Sequence, residues 1–316
     1  MPDLGPAVRT VVHECLAIGE GEEVLVIADP PLARIGHALR EAARAAGADP
    51  VLILMDERQI DGNEPPGPVA GALAACDVFI APTTRSLSHT TARKRATDAG
   101  ARGATMPGAT EDLLARVMAA DFDAMVKRSS AVATVLDGAS EAHVTCPRGS
   151  DLRLDLRDRR GLADDGRLTE PGAFGNLPCG EGFISPLSGE GRMAASSMAS
   201  LGLTEPPAIL TVQDGHIVAA EGGLGPEYLE RLRAHGDAGT NLAELGVGTN
   251  DRARLTGNVL EDEKMLGTVH IAFGASAGFG GTVSVPVHLD AVVLEATLVV
   301  DGQTILESGR FVLDAA

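Results

Sequence analysis

Three apolar runs near the N-terminus, V-L-V-I-A (24–28), V-L-I-L-M (51–55) and D-V-F-I-A-P (77–82), alternate with segments of helical period. Short runs with no polar alternation are the pattern of strands buried on both faces. Between the first two runs, L-A-R-I-G-H-A-L-R-E-A-A-R-A-A (32–46) alternates Ala and Leu with Arg and Glu at helical spacing and stops at Gly47. A strand–helix–strand–helix–strand order admits few topologies, because the crossover to a parallel neighbour is right-handed and lays its helix on a sheet face. The first part of the chain is therefore expected to be a parallel sheet covered by helices. A leading helix over 7–18 ends at Gly19, a small helix over 68–75 precedes the third strand, and further helices are expected near 88–99 and 110–128.

The turn after the first strand, A-D-P-P-L-A-R, has none of the glycines that let a backbone approach a pyrophosphate, which argues against a nicotinamide or flavin cofactor there. The sheet is expected to be structural or to form one wall of a cleft. Past residue 130 the pattern changes to short alternating segments between Gly and Asp turns: A-V-A-T-V (131–135), A-H-V-T-C (142–146), D-L-R-L-D-L (151–156) and A-I-L-T-V (208–212). One helix is expected over 225–235, and Asp301-Gly302 turns a hairpin between two apolar runs near the end. The fold class is thus α/β: a parallel α/β (Rossmann-like) domain over 1–130 followed by a β-rich metal-binding domain over 131–316.

Composition narrows the function. A chain of 316 residues can bury two cores. A net charge of −18, no Trp and a single Tyr (Tyr228) argue against a nucleic-acid surface, which needs cations and stacking aromatics. Basic residues are almost all Arg, with Lys only at 94, 127 and 264, a bias read as compositional. The cysteines at 15, 76, 146 and 179 form no C-x-x-C pair and read as reduced thiols. With no leader-like N-terminus and no long apolar run, the expectation is a cytoplasmic protein without membrane contact.

The chemistry-bearing residues fall late in the chain. Glu181 lies in N-L-P-C-G-E-G-F-I-S-P, Glu244 in A-E-L-G-V-G, His270 in G-T-V-H-I-A-F-G, and His288 and Asp290 in P-V-H-L-D. Carboxylates and imidazoles bind borderline divalent metals. In a strand, residues two apart share a side, so His288 and Asp290 would project together. Five donors exceed the three that a single catalytic zinc uses, which suggests two metals and a bridging carboxylate. His89, Cys179 and Arg192 are weaker candidates: a solvated histidine, a bystander thiol and a holder for a substrate carboxylate.

Taken in order, these elements resemble the metalloaminopeptidases of the aminopeptidase T and S type, over about residues 174–290. The resemblance implies a two-domain α/β architecture, a homodimer and two divalent ions (zinc, cobalt or manganese) held by Glu181, Glu244, His270, His288 and Asp290. It further implies a hydrolase that activates water to cleave a peptide or small amide bond, with Glu181 and Glu244 as the catalytic carboxylates. One departure stands out: where that family has a tyrosine after the H-x-A-x-G histidine, this chain has Ala277. A second branch of the same superfamily, the dihydroxypyridine ring-cleaving dioxygenases, is similar in architecture and in the closing H-x-D. Those enzymes use one ferrous iron held by two histidines and an aspartate. Their second histidine falls at Glu244, and they lack one at His270. The ligand set therefore favours the hydrolase, with an iron dioxygenase acting on a hydroxylated pyridine-type aromatic as the alternative.

Overall fold

The computed structural model describes residues 2–314. The chain divides into two compact units, Met1–Phe122 with Gly166–Cys179, and Asp123–Asp165 with Gly180–Ala316. The segment 166–179 thus returns to the first unit, whereas the sequence reading placed one boundary at 130.

The first unit is built on a parallel sheet in the order Asp49–Leu54, Glu23–Ala28, Val78–Ala81, Arg102–Thr105 and Phe174–Asn176. The amphipathic stretch at 32–46 forms the helix Ala33–Ala45, which buries Ile35, Leu39 and Ala43. Leu25, Ile27, Leu73 and Phe79 belong to the core of this unit. The leading segment is shorter and less regular than a single helix over 7–18. An α-helix over Gly5–Arg9 passes into a π-helical stretch over Thr10–Cys15, where the Leu16 amide donates to the Val11 carbonyl.

Two corrections concern residues 110–136. The expected helix near 110–128 is two helices, Glu111–Val117, capped by the Thr110 hydroxyl, and Phe122–Leu136. The second helix absorbs A-V-A-T-V, which is not a strand. Met125, Val126, Ser129, Val132 and Leu136 are buried at helical spacing. That longer period overrides the local alternation of β-branched residues.

The second unit carries a thirteen-stranded sheet, with all its pairings antiparallel. Its core includes Leu152, Leu154, Met193, Leu210, Tyr228, Leu245, Ile271, Phe273 and Leu298. The hairpin at Asp301-Gly302 joins Thr297–Val300 to Gln303–Glu307. The chain is thus an α/β protein with one parallel and one large antiparallel sheet. Among the described residues no helix is long and apolar enough to cross a membrane.

Candidate metal centre

Four neighbouring strands of the large sheet run in the order Glu181–Ile184, Leu242–Gly248, Val269–Gly274 and His288–Val293. Residues directly opposite one another in an antiparallel pair point to the same face, as do residues two apart along a strand. Gly248 lies opposite Glu181, Gly246 opposite His270, Ala272 opposite both Glu244 and Asp290, and Gly274 opposite His288. The five candidate side chains therefore project from one face, each beside a glycine or alanine that leaves it room. At Gly246 the approach is close, since a Cβ there would stand 2.0 Å from His270 Nε2. The intervening residues Leu245, Val247, Ile271, Phe273, Ala291 and Val293 enter the hydrophobic core. A register shift between Leu242 and Glu244 brings Glu244 onto the polar face.

The side chains form a continuous series with Glu244 in the middle. Its Oε1 is 3.3 Å from His270 Nε2 and its Oε2 is 3.5 Å from His288 Nε2. His270 Nε2 also lies 3.1 Å from Glu181 Oε2, and His288 Nε2 lies 3.7 Å from Asp290 Oδ1. His288 Nδ1 stands 2.8 Å from the Ala275 carbonyl oxygen. A carbonyl only accepts, so the hydrogen sits on Nδ1, and the neutral ring offers its Nε2 lone pair to the cluster.

A residue that the sequence reading passed over sits at the deep end. Lys264 Nζ donates to Glu181 Oε1 at 2.6 Å and lies 2.9 Å from Glu263 Oε1 and 3.6 Å from Asp164 Oδ2, with only 4% of the lysine side chain exposed. Its backbone is held on both sides: the amide donates to the Glu261 carbonyl, and the carbonyl accepts from the Asn250 amide. Just before it, Asp262 accepts from the Thr256 and Gly257 amides and from the Ser197 hydroxyl. Burying an ammonium group costs several kcal/mol unless opposite charges offset it. Here three carboxylates do so. The sole sequence signal is the charged run E-D-E-K (261–264) between apolar residues.

Burial opposes charge throughout the cluster, and the neighbours decide each outcome. Burial raises Glu181, but Lys264 and His270 outweigh it and bring the carboxyl down to about 2. Burial likewise works against Asp290, and His288 brings it to about 2. At Glu263 and Asp164 burial wins despite Lys264, pushing them up to about 8 and about 7. Partial burial disfavours the His288 cation, yet Asp290 and Glu244 push its value up to about 10. His270 is held well above the ordinary histidine range against its burial by Glu181 and Glu244.

The donor set fits a divalent cation. Single donor atoms of Glu181, Glu244 and His270 lie within 4.8 Å of one another, and all three residues are buried. Glu181 Oε2 and His270 Nδ1 find no hydrogen-bond partner among the described residues. An unsatisfied buried carboxylate oxygen is costly unless a ligand completes it. Successive donors in the series His270, Glu244, His288 and Asp290 stand 3.3 to 3.7 Å apart, close to the roughly 3.4 Å between two donors that share an ion at about 2.0–2.2 Å. Exposure grades along the series, from 1% at the His270 side chain to 23% at His288. The His288 end is therefore the open one. There Phe279 meets the His288 ring edge-to-face at 5.5 Å and Phe183 at 5.8 Å.

The remaining candidates lie elsewhere. Ala277 is exposed on the loop before His288, Arg192 is exposed on the strand Ser188–Met198, and Cys179 is buried in the first unit. His89 is an exposed residue of the first unit.

Known structures share this fold. The structure of 2,5-dihydroxypyridine dioxygenase from Pseudomonas putida KT2440 superposes with a TM-score of 0.79 at 21% identity, covering 98% of this chain and 97% of that one. Wild-type AmpT from Thermus thermophilus superposes with a TM-score of 0.71, also at 21% identity, covering 98% of each chain. No curated protein sequence matches. The family model that matches is described as NicX, 2,5-dihydroxypyridine 5,6-dioxygenase, over residues 4–313. This overturns the expectation of an aminopeptidase-type hydrolase or metalloprotease. The ordered Glu, Glu, His and H-x-D elements lie on a fold shared with both of these structures, so their order does not by itself fix the reaction. With the match running from residue 4 to residue 313, the chain belongs to the NicX (2,5-dihydroxypyridine 5,6-dioxygenase) family.

Proposed function

We propose that the protein is a ring-cleaving dioxygenase that acts on a hydroxylated pyridine-type aromatic and uses one ferrous ion. The observation that carries this reading is the match of the dioxygenase family model over residues 4–313. The site is compatible with it, because two histidines and a carboxylate are the donors of non-haem ferrous oxygenases. His270, His288 and Asp290 supply that set, and Glu244 stands between the two rings. Ferrous iron, when bound, would supply the one-electron chemistry that lets dioxygen react with a closed-shell ring.

The chain's own residues have separate tasks in this reading. The Ala275 carbonyl holds the hydrogen of His288 on Nδ1 and keeps Nε2 turned inward. Phe279, half-buried against His288, and Phe183, half-buried against Phe279, offer apolar faces and edges against which a planar ring can pack. Glu181, held near 2 against its burial by Lys264 and His270, is a poor proton acceptor at neutral pH. It serves as a fixed charge rather than as a base.

The test is oxygen consumption. Protein loaded anaerobically with ferrous iron is mixed with 2,5-dihydroxypyridine, and dioxygen uptake is followed together with the mass of the product. The expected result is uptake of one dioxygen per ring opened, with both oxygen atoms in the product. No uptake across a panel of dihydroxypyridines and dihydroxybenzenes, with iron shown to be bound, would sink the reading.

A further inference from the structure

Lys264 is arranged as a cation already in place. Its Nζ stands within 3.6 Å of carboxylate oxygens from three separate segments, Glu181, Glu263 and Asp164, at the closed end of a donor series that also contains Glu244, His270, His288 and Asp290. A dinuclear centre needs a second cation beside Glu181, and an ammonium held 2.6 Å from Glu181 Oε1 fills that role. Like charges brought this close repel strongly in a buried site, so a dication cannot settle beside Nζ unless the lysine leaves. The lysine is held from leaving by the backbone bonds at Glu261 and Asn250 and by the anchored Asp262 turn.

We infer that Lys264 is a positioning residue that occupies the second cation position, withdraws Glu181 from the ligand set and limits the centre to one divalent ion among Glu244, His270, His288 and Asp290. This rests on the one-metal reading above but concerns stoichiometry, not turnover. Five acidic side chains meet one resident cation, which leaves an acidic excess for a dication to offset in part. Neither the order of the motifs nor the family match assigns any task to this lysine.

The experiment counts metal without substrate. Metal-stripped protein is titrated with Mn²⁺ alone, bound metal is measured after equilibrium dialysis, and the spin spectrum distinguishes isolated from coupled ions. The full chain is expected to bind one equivalent with an uncoupled signal. Lys264→Ala is expected to bind two equivalents with a coupled signal, and Lys264→Arg, which keeps the charge, is expected to stay at one. Two equivalents or none in the unaltered protein, or one in a folded Lys264→Ala, would overturn the inference. If Lys264→Ala does not fold, Glu181→Gln decides. A committed partner of Lys264 can be neutralised with no more than about a tenfold to hundredfold loss of Mn²⁺ affinity, whereas complete loss of the ion would make Glu181 a ligand and end the proposal. One bound ion without ring cleavage would sink the proposed reaction and leave this inference standing.

Discussion

The Tyr228 hydroxyl donates to the Leu289 carbonyl at 2.6 Å, and Leu289 is the residue between His288 and Asp290. The chain's one tyrosine thus grips the backbone of the strand that carries two donors. Tyr228 is fully buried, packs edge-to-face on Phe273 at 6.4 Å, and lies on the helix Gly225–Arg233. The core of the second unit and the donor face of its sheet are connected through this bond.

Tyr228→Phe should therefore affect both. Loss of one buried hydrogen bond is expected to cost about 1 kcal/mol of stability. Because the freed carbonyl sits between His288 and Asp290, Mn²⁺ affinity should fall severalfold as well. Urea unfolding and metal titration check the two effects together. Unchanged metal affinity in a destabilised variant would show that the bond serves the core alone.

Gly246 gives a sharper test of how the sheet shapes the site. A methyl group there would collide with His270 Nε2, and the imidazole is fully buried with no space to swing away. Gly246→Ala should keep the fold, at a cost of roughly 1–3 kcal/mol for overpacking, and lose Mn²⁺ affinity by more than about a hundredfold. Circular dichroism and equilibrium dialysis separate the outcomes. Metal binding at the original affinity would show that His270 is not a ligand.

These residues also show what a sequence can carry by itself. The parallel sheet is legible in the apolar runs at 24–28, 51–55 and 77–82, because period and spacing are local properties. H-x-D puts two donors on one side of a strand for the same reason. The strand read at 131–135 fails because five residues are too short a window to separate period two from the helical spacing of Met125, Ser129, Val132 and Leu136. Lys264 illustrates a harder limit. Its meaning depends on Glu181 and Asp164, far away in sequence, so a lone lysine in a charged run looks like surface until the fold is known. Glu244 and His270 favour a hydrolase when read from the sequence alone, and the family match over residues 4–313 overrides that reading.

Metal binding should depend steeply on pH, in a direction set by the histidines. Partial burial works against the His288 cation, but Asp290 and Glu244 raise its value from 6.5 to about 10, so the metal-free protein carries a proton there at neutral pH. That protonated pair stabilises the metal-free fold fully below about 6.5, and the contribution is lost as pH rises through about 10. A ligand histidine must release its proton, so Mn²⁺ affinity should keep rising between pH 6 and pH 9 instead of levelling off near the ordinary histidine value. Calorimetric titrations in two buffers of different ionisation enthalpy would count the protons released. Affinity that is flat across this range would mean that the histidines are neutral before the ion arrives.

His288→Ala should be the most damaging single change at the open end of the series. It removes the Nε2 donor that lies between Glu244 and Asp290, and it breaks the Nδ1 bond to Ala275. It leaves the Lys264–Glu181 pair intact, because Lys264 Nζ is held by Glu181, Glu263 and Asp164 and not by the His288 ring. The variant should fold but be less stable than the metal-free parent at neutral pH, because it loses the proton site that Asp290 and Glu244 raise to about 10 against its burial. Its Mn²⁺ affinity should fall beyond the reach of dialysis, and iron-dependent oxygen uptake should vanish with it. Substitution by Gln, which restores bulk but not a ligand nitrogen, should not rescue either property. A His288→Ala protein that still holds one equivalent of Mn²⁺ would move the ion to the buried Glu181–His270 end and force the roles of Lys264 and Glu181 to be redrawn.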